Sequence, residues 1–139
     1  MAGSANSIIT PQTPKSAHIV QSFTATTTPG TTTPGNTVLL VTAGANGGRL
    51  TKLRAQPVAT VTVSQLQEFR SLDTGTTKKW VNSALGAPSG YTLAATTLPP
   101  VIDFGYSDDS PVIMAAGEQI YVGSAVTGTW SFEAEWADY

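Results

Sequence analysis

Asp103-Phe104-Gly105, the pair Asp108-Asp109, the glycine run Gly44-Ala45-Asn46-Gly47-Gly48, the single His18 and the three tryptophans could do chemistry. Each must meet what its chemistry needs. The Asp-Phe-Gly tripeptide matches the metal-binding triplet of protein kinases, but the nucleotide loop and catalytic loop of that machinery are absent. Gly105 reads instead as a turn or bulge residue after a strand. The run GANGG has the glycine content of a phosphate loop without its Gly-Lys-Ser/Thr ending. Asn46-Gly47 is a favoured pair for the positive φ of a tight turn. Asp108 and Asp109, with Asp103, could offer oxygen ligands to calcium; adjacent loop carboxylates more often stay solvated. His18 is the one histidine a Ser-His-Asp triad could use, and no Gly-x-Ser-x-Gly elbow accompanies it. Nine acidic residues always allow some pair, so no glycosidase arrangement is signalled. Trp80, Trp130 and Trp136 could stack on sugar rings. Even spacing from Phe132 places Trp130 and Trp136 on one strand face, which argues for core. The sequence is read as a non-enzyme with no cofactor and no metal.

Composition narrows the class. The chain has 139 residues, enough for one domain with a real core. Charged residues make up 12% and hydrophobic ones 40%, against 22 threonines and 13 glycines. Such a balance favours strands joined by turns over helices or disorder. Without cysteine there are no disulfides, thiolate nucleophiles or cysteine-built zinc sites. MAGSANSIITPQTPK lacks the apolar stretch of a signal peptide, and no run approaches the roughly 20 apolar residues that span a bilayer. Net charge is -2, which gives no electrostatic case for nucleic acid. All seven basic residues lie between Lys15 and Lys79, and seven of the nine acids between Asp103 and Asp138. Interleaved strands would average this asymmetry out in space. Otherwise it would produce a basic and an acidic surface suited to head-to-tail contact.

The elements that must position these residues follow from periodicity. Residues 1–16, with Pro11 and Pro14, read as an extended N-terminal arm, and residues 17–139 as one domain. Ile8, Ile9, Pro11 and Pro14 are candidate interface residues of that arm. Ser16–Thr24 is the first strand, with Ala17 and Ile19 on one face and His18 and Val20 on the other. Thr26–Gly30 and Thr31–Gly35 repeat TTTPG and read as an ordered, kinked connection, because proline-glycine turns alternate with extended threonines. Asn36–Ala43 is the most apolar strand and reads as central. It forms a hairpin with Arg49–Gln56 across Gly44–Arg49. Val58–Gln65 has period two, with Val61 and Val63 on one face. Leu66–Leu85 reads as a second hairpin turning at Asp73–Thr76. Val101 opens a further strand. Val112–Met114 and Ile120–Val122 flank a turn at Ala116–Glu118. Gly128–Trp136 alternates strictly, with Trp130, Phe132, Ala134 and Trp136 inward and Glu133 and Glu135 outward. Trp136, near the end of the chain, is a further interface candidate, with Glu135 pairing to lysine or arginine of a neighbour. Eight or nine strands without a confident helix predict an all-β fold, an antiparallel β-sandwich of jelly-roll type.

The run LVTAGANGGRLTKLRAQPVATVTVSQLQEFRS, the hairpin DTGTTKKWVNSAL and MAAGEQIYVG before a closing strand resemble small β-sandwich virion proteins of tailed bacteriophages. The resemblance covers about Val38 to Tyr139 and is one of strands and turns. AGEQIYV is also similar to the penultimate hairpin of jelly rolls of the tumour-necrosis-factor and C1q type. The resemblance implies a structural protein that decorates or cements a capsid, a homo-oligomer bound to the major capsid protein. It would be made in the host cytoplasm and built into the virion. The alternative is a tail or fibre adaptor that binds a receptor or glycan.

Overall fold

A computed structural model describes residues 12–139. Nine strands run in chain order: β1 (Thr13–Phe23), β2 (Val38–Thr42), β3 (Gly48–Pro57), β4 (Ser64–Ser71), β5 (Lys79–Gly86), β6 (Ile102–Asp103), β7 (Val112–Met114), β8 (Gln119–Ser124) and β9 (Gly128–Asp138). They form two antiparallel sheets. One has the order β1-β9-β3-β6, with β7 also on β3; the other runs β2-β8-β4-β5. Pairing is nested: β1 pairs with β9, β2 with β8, β3 with β6 and β7, and β4 with β5. The chain is thus one long antiparallel hairpin rolled into a β-sandwich.

The core lies between the sheets. β9 supplies Trp130, Phe132, Ala134 and Trp136 to it, as its alternation predicts. β3 adds Leu50, Leu53 and Ala55, β4 adds Leu66, and β8 adds Ile120 and Val122. Phe23 meets Phe132 edge-on, with ring centroids 5.3 Å apart. Ala17 and Ile19 of β1 pack against this core, while His18 and Val20 face solvent.

The β4–β5 hairpin forms as expected, and Asp73 fixes its turn. Its carboxylate accepts hydrogen bonds from Thr77 N–H (2.8 Å), Thr77 Oγ1 (2.6 Å) and Ser71 Oγ (2.9 Å). These bonds, Thr77's foremost, hold the Asp73 carboxyl below its ordinary pKa.

Three expectations are corrected. β2 and β3 are not a hairpin: they lie in different sheets, and only Gly44 and Gly47 bridge between them. Gly47 takes φ +87°, and a Cβ there would lie 2.4 Å from the Met114 carbonyl, so the chain turns a sheet-to-sheet corner only glycine fits. β2 is an edge strand of its sheet, not a central one; its apolar Leu40 and Val41 are buried by the facing sheet. Residues 58–63 are not a strand. Pro57 ends β3, Val61 makes one bridge with Tyr91, and Val63 is exposed while Val61 is buried. That segment crosses from one sheet to the other. The turn expected at Ala116–Glu118 does form, between β7 and β8, which lie in different sheets, with Gly117 at φ +68°.

Residues 13–16, expected to lie in an extended arm, are instead strand. Thr13 to Ser16 belong to β1 and pair with Asp138 to Glu135. Pro14 fits because β1 is an edge strand, where a missing N–H breaks no central ladder. Ile8, Ile9 and Pro11 lie outside the described residues.

The TTTPG repeat is an ordered connection over the outer face of the second sheet. Thr27 and Gly35 exchange backbone hydrogen bonds of 3.2 and 3.0 Å, Thr26 N–H donates to the Ser124 carbonyl, and Lys78 N–H donates to the Thr32 carbonyl. A Cβ on Gly123 would lie 2.5 Å from Thr26 Oγ1, so glycine in β8 lets the connection press onto the sheet.

Candidate functional site

The two ends of the sandwich differ in chemistry. At one end lie the β2–β3 corner, the β4–β5 turn, the β7–β8 turn and the start of β1. It is knotted by charge. Asp138 Oδ1 accepts from Gly44 N–H (2.9 Å) and Trp136 Nε1–H (3.1 Å), and its Oδ2 lies 3.1 Å from Lys15 Nζ. Burial pushes the Asp138 carboxyl up, but the Gly44 amide and Lys15 ammonium outweigh it and leave the pKa lowered. Arg70 pairs with buried Glu118, and Arg49 donates to the Asp108 carbonyl.

The opposite end carries the β3–β4, β5–β6 and β8–β9 connections. Their backbones are fixed. Val61 and Tyr91 exchange two hydrogen bonds of 2.9 Å, Leu93 N–H donates to Thr60 Oγ1, and Val126 N–H donates to Ser64 Oγ. Beneath them Trp130 is fully buried, and a Cβ on Gly86 would lie 2.7 Å from its ring. On this rigid base, apolar side chains point to water. Val58 and Val63 come from the β3–β4 connection, and Val126 from the β8–β9 connection. Leu93, Leu98 and Val101 come from the β5–β6 connection, with Leu98 at 90% exposure, and Leu85 closes β5. This end holds seven of the twelve large hydrophobic side chains exposed among the described residues. Exposed apolar side chains thus concentrate at this end, over an ordered base. We call it the apolar pole.

The residues that could do chemistry do not converge. His18 is exposed, 3.8 Å from Glu133. Asp103 accepts Gly105 N–H at 2.7 Å, which explains the turn after β6. Among the described residues no three His, Cys, Asp or Glu side chains gather as metal ligands would. Trp130 and Trp136 belong to the core, at 0% and 9% exposure. Trp136 is therefore largely covered by its own chain, and little of it is left to face a partner. Glu135 bonds Lys52 within the chain, and Glu133 lies 3.1 Å from Arg54 and 3.6 Å from Lys52. The bond from Lys52 draws the Glu135 pKa down, and the same bond raises that of Lys52. The charge asymmetry of the sequence is thus partly cancelled across β3 and β9, and Glu135 has its partner without a neighbour.

Sequence reasoning missed Glu68. It is fully buried on β4, two residues from core Leu66 and so on the same strand face. Tyr106 donates to its Oε2 at 2.6 Å, Asn82 Nδ2 donates to Tyr106 Oη at 3.0 Å, and Oε1 has no hydrogen-bond partner among the described residues. Burial raises the Glu68 pKa, against the Tyr106 bond and the Arg70 charge, while Glu118 pushes the same way as burial. Burial and Glu68 together raise Tyr106. A folded-state pKa above the unfolded one gives stability that is present at low pH and lost as pH rises through the raised value. Glu68→Gln should therefore gain on the wild type between about pH 4, the unfolded carboxyl range, and neutrality, read as melting temperature against pH. Parallel curves for the two proteins would show that the buried carboxyl does not titrate as described.

The chain matches no family model, no curated protein and no solved structure.

Proposed function

We propose that the chain is a structural virion protein of a tailed bacteriophage, a non-catalytic homo-oligomer that binds the major capsid protein and stabilises or decorates the shell. The observation that carries this reading is the apolar pole: rigid loops holding leucine and valine in water, at a cost the free subunit recovers only by assembling. The resemblance of strands and turns to small virion proteins points the same way. The nested strand pairing favours the jelly-roll type within the β-sandwich class. A glycan-binding adaptor finds less support, because two of its three candidate stacking tryptophans are buried. Trp80 is half-buried, packed 6.4 Å from the Phe69 ring.

The test is co-sedimentation with capsid shells and, separately, with tails. Leu93→Asp combined with Leu98→Asp should leave the fold intact, since both side chains are exposed. The pair should weaken shell binding at least tenfold, about 1.4 kcal/mol. Binding to tails and not to shells would support the adaptor instead.

A further inference from the structure

Edge strands expose unpaired N–H and C=O groups, and proteins protect them by shortness, bulges, charge or cover. Most edges of this sandwich are protected in that way. β6 and β7 have two and three residues. β2 has five residues and an irregular register at Leu39/Val41, and the β4–β5 ladder shifts register at Glu68/Phe69. β1 differs. It runs eleven residues in unbroken register with β9, and among the described residues no strand lies on its other side. Lys15 and His18 are its only residues that can carry a side-chain charge. Ala17 and Ile19 stay only half-buried against the core, and Val20 is 68% exposed. A shallow groove lined by Pro14, Lys15, Ser16, His18 and Glu135 follows its first half.

We propose that β1 pairs antiparallel with β1 of a second copy, about a two-fold axis at His18. The inference rests on the self-assembly part of the reading above and not on the capsid. Full overlap of the eleven residues sets the axis: Thr13 then lies opposite Phe23 of the second copy, and His18 opposite His18. Ala17 faces Ile19 on the core side, which closes the half-buried positions in both copies. Lys15 faces Gln21, so the two ammonium groups stay six residues apart along the strands.

The chain outside the described residues supports this occupant. Residues 1–11, with Ile8 and Ile9, join the fold at the charged end. β1 spans about 34 Å over its ten steps. Ile9 is four residues before Thr13 and reaches at most about 14 Å from it, so it cannot reach the apolar pole of its own copy. In the antiparallel pair, Thr13 stands beside Phe23 of the second copy. That residue lies at the second copy's apolar pole, on the side of Val126, because Phe23 pairs with Gly128 and Ala25 N–H donates to Thr127 Oγ1. Strands lie about 4.8 Å apart, so Ile8 and Ile9 can cover that side of the pole. Leu93 and Leu98, on the far connection, stay free for the shell.

Because the chain has no cysteine, single replacements read the register without background. His18→Cys should form a disulfide-linked dimer under mild oxidation, whereas Ser16→Cys and Val20→Cys alone should not and the double variant Ser16→Cys/Val20→Cys should. The unmodified protein should sediment as a dimer, and Ile8→Asp with Ile9→Asp should raise its dissociation constant at least tenfold. A monomer at all concentrations, or equal crosslinking at all three positions, would overturn the strand pairing. Undiminished dimerisation of the isoleucine variant would overturn the placement of residues 1–11. Either result leaves the shell-binding assay to stand or fall separately.

Discussion

Trp130→Ala lowers stability by about 3–5 kcal/mol, the usual cost of deleting a large buried aromatic side chain and leaving its cavity. The site cannot collapse cheaply. Trp130 is fully buried in β9, its strand pairs on both sides with β1 and β3, and it supports the connections of the apolar pole. Gly86 and Gly128 come close to its ring because neither has a side chain. A loss of this size in a domain of 139 residues should shift the melting temperature by about 10–17 °C. The proposed shell binding should weaken too, even below the melting transition, because the pole rests on the indole. A Trp130→Ala protein that melts like the wild type would show that the ring is not the floor of the pole.

Phe69→Ala has an effect of the same order for a different reason. Phe69 is fully buried yet is not part of the core between the sheets. It faces outward from β4, across from Tyr121, with Trp80 beside it and Gly123 within 3.6 Å of its ring by the glycine's projected Cβ. The TTTPG connection crosses this face. It is anchored by Thr26 on Ser124 and Thr32 on Lys78, whose ammonium lies 4.4 Å from the Tyr121 ring centre and donates to Thr37 Oγ1. Truncation should cost about 3–4 kcal/mol and release the connection locally. Amide exchange should rise across Thr24–Thr37 more than across β9. Uniform exchange throughout the chain would mean that this outer cluster is not a separate packing unit.

These two residues mark what the sequence discloses. The inward face of β9 was legible because alternation over eleven residues permits one assignment. The β4–β5 hairpin was legible because its turn is closed locally by Asp73. Phe69 and Glu68 were not: alternation puts them on opposite faces of β4, yet both are buried, because the TTTPG connection covers the outward face as the other sheet covers the inward one. The partners of β2 and β3 were hidden for a related reason. GANGG reads alike whether it closes a hairpin or turns a corner between sheets, and the true partners, β8 and β9, are more than 70 residues away. The candidate site was the least legible part. YTLAATTLPP reads as a loop, and nothing local says that Leu93 and Leu98 stay in water once the fold closes.

The proposed capsid role is tested most directly by the association of the folded protein with the capsid shells of a tailed bacteriophage that carries its gene. Binding through the apolar pole should be saturable, should survive high salt, because apolar contacts are not screened, and should fall at least tenfold in the Leu93→Asp/Leu98→Asp variant. A folded protein that leaves the shells bare, or that binds them equally well with both leucines replaced, would contradict it.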